Sequence, residues 1–160
     1  MSKILVLVTL LVAIIAAAAS GRAEEGVGNT APGDTHLLPE GDAFALYDRG
    51  FFHLRRGDWE GAAAVFEELL ERFPHDELAP NARYWLAESY LQRGEAMRAA
   101  RAFRDVYATA PGAARAPDAL YKEGVALSRA GDHYNACLAF LRLRQTYPEE
   151  AMRYPMDERC

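Results

Sequence analysis

The sequence predicts an all-α fold, in which three helix–turn–helix units with a period of 37 residues stack as a short right-handed solenoid. Two observations carry this. Identical residues recur at one spacing in three copies, and the apolar residues between them follow a helical period. Tyr47, Tyr84 and Tyr121 stand 37 apart, as do Gly57, Gly94 and Gly131. Ala62, Ala99 and Ala136 keep the same spacing, and so do Phe66, Phe103 and Phe140, and Pro74, Pro111 and Pro148. Softer columns agree: Gly50, Ala87 and Gly124 are all small, and Leu69, Val106 and Leu143 are all aliphatic. Within one segment Ala99, Phe103 and Val106 fall at i, i+4 and i+7, the one-face spacing of an amphipathic helix.

In chain order, residues 1–23 differ in kind from the rest. A positive start at Lys3 precedes a charge-free run from Ile4 to Ala19, and small residues follow from Ala17 to Gly21. That is the layout of a cleaved secretory signal peptide, with a cut after Ser20 or Ala23. The apolar run of 16 residues is shorter than the roughly 20 that a spanning helix needs. Without a cysteine near the cut there is no thiol for a lipid anchor. Residues 24–41 are rich in Gly and Pro with no apolar period, and read as a flexible linker.

The repeat domain is expected over 42–148. Its first helices are expected at 43–56, 80–93 and 117–130, and its second helices at 59–73, 95–110 and 133–147. Gly57, Gly94 and Gly131 sit where each first helix stops and turns, a place for positive φ. Asp58 and Asp132 are positioned to cap the helix that follows, whereas Glu95 is a poorer cap. Pro80 and Pro117 suit a first helical turn, where a missing N–H costs nothing. The small residues Gly50, Ala87, Gly124, Ala62, Ala99 and Ala136 let helices approach closely, and Phe66, Phe103 and Phe140 are expected to fill the space between units. Residues 149–160 form a C-terminal tail.

Taken together, the pattern small–x6–Gly–x–aromatic–x2–Ala–x3–Phe–x2–Leu–x4–Pro, present as Gly50, Gly57, Trp59, Ala62, Phe66, Leu69 and Pro74, resembles the tetratricopeptide repeat. Ala96 and His133 depart from it in the aromatic column. Two junctions carry a narrower resemblance. Residues 73–88, containing Phe73, Pro74, Tyr84 and Trp85, and residues 116–127, containing Ala116, Pro117, Asp118 and Lys122, are similar to the periplasmic Tol-Pal system accessory protein, or cell division coordinator, family. That resemblance implies a periplasmic scaffold with Tol-Pal components and septal peptidoglycan synthase as partners, coordinating outer-membrane constriction with septal peptidoglycan synthesis. An adaptor in another envelope pathway, such as outer-membrane protein assembly, is the alternative. Residues 24–41 are too short and too rich in Gly and Pro for the N-terminal coiled coil that trimerises such proteins, which argues against trimerisation.

Such stacks present an extended concave surface, and by resemblance the first helices line it. Tyr47, Tyr84 and Tyr121 are the expected row along the groove, with Trp85 beside them and Phe51 and Glu88 one turn on. The same tyrosines equally suit packing between first helices, since an amphipathic ring does both. Catalysis is not expected: there is no phosphate loop, Ser/His/Asp signature or nucleotide fingerprint, and no cofactor is implied. His133 and Cys137 at i, i+4 supply at most two metal ligands, so no metal site is expected. Cys137 shares a column with Ala63 and Ala100 and reads as a small packing residue. The second cysteine, Cys160, is on the tail, and spacing does not decide whether the two are bonded. The net charge of −5, with no basic stripe, excludes nucleic acid.

Overall fold

A computed structural model describes residues 42–155. The segments expected to be signal peptide and linker, and Cys160, lie outside the described residues. Six helices of one repeating pattern run α1 (Ala43–Arg55), α2 (Trp59–Arg72), α3 (Ala79–Gln92), α4 (Ala96–Thr109), α5 (Ala116–Arg129) and α6 (His133–Thr146), followed by a single turn α7 (Pro148–Ala151). No strand occurs among the described residues. Each helix packs chiefly on its neighbours in sequence, so that α1/α2, α3/α4 and α5/α6 form three consecutive helix–turn–helix units.

Local chemistry sets where each helix begins and ends. Gly57, Gly94 and Gly131 take φ of 70°, 80° and 83°, the left-handed conformation that ends the first helix of every unit without a Cβ penalty. The Asp58 carboxylate then accepts from Gly61 N–H at 2.9 Å and Asp132 from Asn135 N–H at 3.2 Å. Both aspartates are held below the usual carboxylate range, Asp58 mainly by that backbone N–H and Asp132 mainly by the Asn135 side chain. Glu95 makes no such cap, because its extra methylene carries the carboxylate past the turn toward Arg93 and Arg98. Asp42 supplies the α1 cap, accepting from Ala45 N–H at 2.6 Å. Pro80 and Pro117 lie in the first turns of α3 and α5.

The conserved spacing becomes a packed core. Ala62, Ala99, Phe66, Phe103, Ala87, Leu69, Val106 and Leu143 are completely buried. Ala136 and Phe140 are buried as well. The phenyl rings differ from the expectation in one respect: they wedge between the two helices of their own unit. A Cβ on Gly50 would stand 2.6 Å from the Phe66 ring, and one on Gly124 would overlap the Phe140 ring. Glycine in mid-helix costs about 0.5–1 kcal/mol relative to alanine. Burying each phenyl returns about 1.5–3 kcal/mol, so the close approach wins.

The third unit has no fourth to cover it. Instead α7 follows directly on α6 and places Ala151 in the core at 3% exposure. The Tyr147 hydroxyl donates to the Pro111 carbonyl at 2.7 Å, tying this turn back to the junction before α5. Cys137 is disulfide-bonded.

Candidate functional site

Three first helices carry the tyrosine column, and the structure gives each tyrosine a different cover. Tyr47 on α1 packs beside Phe51, ring centroids 4.9 Å apart, and against Phe66 at 5.9 Å. Tyr84 on α3 is 4% exposed, edge-on to Phe103 and to Trp85. The Arg115 guanidinium, from the junction before α5, lies 4.7 Å from the Tyr84 centroid and 5.0 Å from that of Trp85. Tyr121 on α5 stacks on Tyr154 of the tail, centroids 4.5 Å apart and planes within 18°, while its hydroxyl donates to the Pro155 carbonyl at 3.2 Å. Each tyrosine is thus roofed by whatever follows its unit: Trp85, then Arg115, then Tyr154.

Between the first two units this arrangement leaves an open depression of about 450 Å³, lined by Phe51, Leu54, Arg55, Trp59, Tyr84, Trp85, Glu88 and Lys122. Phe51 and Trp85 form its aromatic wall, edge to face at 5.1 Å and 76°. The Glu88 carboxylate is largely buried, with Gln92 Nε2 donating to Oε1 at 2.8 Å and the Lys122 ammonium 3.0 Å from Oε2. The ammonium faces that second oxygen as a charge, without the alignment of a hydrogen bond. The Trp85 indole N–H is buried and makes no hydrogen bond of good geometry. It still lies near enough to the Tyr47 hydroxyl to offset part of what burial does, which is to raise the Tyr47 pKa.

Burial, reinforced by Asp118, also raises the Tyr84 pKa well above the ordinary phenol value. These tyrosines are therefore neutral rings with a hydrogen-bond donor at neutral pH, suited to holding a ligand rather than attacking one. Among the described residues there is no group of three or more His, Cys, Asp or Glu that could hold a metal ion. His133 and Cys137 gather no further ligands there, and the Cys137 sulfur is already in a disulfide.

Tyr84, Phe51, Trp85 and Glu88 meet in one place. Tyr47 packs behind that depression, and Tyr121 lies under Tyr154. Leu54, Arg55 and Lys122 were missed from the sequence, although a signal existed. Leu54 and Arg55 lie three and four residues beyond Phe51, and Lys122 is the column-mate of Trp85. Trp59 was noticed as a repeat position and not as part of a surface. The roofing by Arg115 and Tyr154 had no sequence signal, because Leu78, Arg115 and Met152 share one column and Pro80, Pro117 and Tyr154 another, with no common chemistry.

A second polar cluster joins units two and three. Glu123 is 1% exposed, yet it is ionically and covalently well provided for: Arg104 Nε donates to Oε1 at 2.7 Å and the Tyr107 hydroxyl to Oε2 at 2.7 Å. Arg142 in turn donates to the Tyr107 hydroxyl at 2.9 Å. A buried carboxylate needs such partners to remain buried. The cluster is structural, since its groups are consumed by one another.

Comparison with known proteins agrees with this geometry. Tetratricopeptide repeat profiles match residues 47–114 and 118–150. No curated protein matches the chain by sequence. Among solved structures, the N-terminal domain of stress-induced protein-1 (STI-1) from C. elegans is 17% identical with a TM-score of 0.60, covering 69% of this chain and 89% of that one. The MamA protein is 20% identical with a TM-score of 0.62, covering 76% of this chain and 62% of its own. At these identities the likeness is one of fold.

Proposed function

Since the chain is built of tetratricopeptide repeats, a protein–protein interaction scaffold, we propose that its concave face holds an extended segment of a cell-envelope partner, and that the partner belongs to the Tol-Pal and septal peptidoglycan machinery. The observation that carries the binding reading is the aromatic depression bounded by Phe51 and Trp85. A pocket of roughly 300–1,000 Å³ with a few placed charges is of the size that receives a ligand, and exposed aromatics at such a place serve as interface anchors. The envelope reading rests on the signal-peptide layout of residues 1–23 and on the two junctions, at 73–88 and 116–127, that resemble the cell division coordinator family.

The test is an in-cell crosslink of the tagged full-length protein, with partners identified by mass spectrometry. Tol-Pal components or septal synthase subunits among the main adducts support the proposal. A reproducible set of other envelope proteins moves the role to a different assembly pathway, and adducts with cytoplasmic proteins alone contradict the export reading.

A further inference from the structure

The charges around the depression bear on what fills it. Two cations and one carboxylate line it: Arg55, Lys122 and Glu88. Lys122 and Glu88 face each other at 3.0 Å, so their charges are largely spent. Arg55, exposed at the C-terminal end of α1, has no ion-pair partner among the described residues. The depression therefore presents one uncompensated positive charge beside an aromatic wall, on a chain whose net charge is −5. A cationic guest would meet Arg55 and Lys122 at once, although the rest of the molecule would attract it. The chain also shows how this tyrosine column meets a segment from outside the repeats. Over Tyr121 it is a tyrosine ring laid flat, followed by a backbone carbonyl that accepts from the tyrosine hydroxyl.

We propose that the depression between the first two units recognises an extended acidic–aromatic segment of the partner, with an aromatic side chain against Phe51 and Trp85 and a neighbouring carboxylate paired with Arg55. The inference rests on the groove reading above and narrows it to one ligand chemistry. Opposite charges in register favour the match, and like charges placed there cost enough to exclude a wrong partner.

A phage-displayed library of short random peptides, selected on the immobilised full-length chain, tests this without knowledge of the partner. The most enriched peptide is then synthesised, and its affinity is measured by fluorescence anisotropy. Enriched peptides should pair an aromatic residue with Asp or Glu. Arg55→Glu should weaken the acidic peptide by about tenfold or more, and replacing the peptide's acid by Lys should restore binding to that variant. Arg55 is exposed, so this variant keeps the fold, as circular dichroism will verify. Enrichment of basic or purely apolar peptides, or equal affinity of the acidic peptide for wild type and Arg55→Glu, overturns the proposal. If Phe51→Ala, with unchanged helicity, also leaves that affinity unaltered, the groove reading fails with it.

Discussion

At the C-terminal end of the stack, Tyr121 is roofed by Tyr154 and its hydroxyl is spent on Pro155. At the N-terminal end, Phe51 and Trp85 border an open depression, and Phe44 and Phe52 on the same helix are 57% and 48% exposed. The contrast continues inside. In unit three Glu123 is buried and clasped by Arg104 and Tyr107, whereas its column-mate in unit one, Arg49, lies half exposed in a surface pair with Glu68 at 2.5 Å. One repeat scaffold thus has a closed end, where polar and aromatic groups satisfy each other, and an open end, where they do not. Sites that bind are drawn from the second kind, because a partner gains only from groups left without one.

The largest expected effect tests the closed end. Arg104→Ala strips the buried Glu123 carboxylate of its ion pair and should cost about 3 kcal/mol, the lower end for a broken buried pair because Arg104 itself is half exposed. Arg49→Ala should cost less than about 1 kcal/mol, since both partners of its pair are solvated. Urea titration of both variants checks this, and equal losses would erase the distinction between the ends. Next in size, Phe51→Ala should remove about 2 kcal/mol of partner affinity, measured on any partner found by crosslinking. Tyr154→Ala should lower stability by about 0.5–1.5 kcal/mol, the worth of an aromatic pair, and leave binding at Phe51 intact. The smallest effect concerns the caps. The Asp58 and Asp132 carboxyls titrate below their ordinary value of 3.8, so the stability they add is present above that pH and is lost as pH falls through their lower folded values. The amide resonances of Gly61 and Asn135 should therefore shift in acid below about pH 3.8, while the N-terminus of α4, where Glu95 makes no cap, should show no such step.

Much of the fold was legible in the sequence because it is written three times. The glycines at positive φ, the aspartate caps and the buried Ala and Phe columns each repeat at 37 residues, so each copy corroborates the others. What did not repeat was not legible. Glu123 shares its column with Arg49 and Leu86, and its partners Arg104 and Tyr107 lie 19 and 16 residues away on another helix, so neither period nor proximity announced a buried charge. The phenyl rings were placed between units because their column alone does not say which helix pair they separate. Gly50 and Gly124 facing Phe66 and Phe140 in the same unit decide it. The candidate site was half visible: periodicity along α1 and α3 finds the face, but the roofs over the tyrosines depend on junction and tail residues whose columns have no shared chemistry.

The central claim is that the partner lies on the open end of the concave face. A photo-reactive residue placed at Arg55, on the rim of the depression, and separately at Tyr134, which is 75% exposed on α6, tests it in the intact cell. The account predicts that one partner protein is captured from position 55 and not from position 134. Capture of that same partner from position 134, with none from 55, would contradict it.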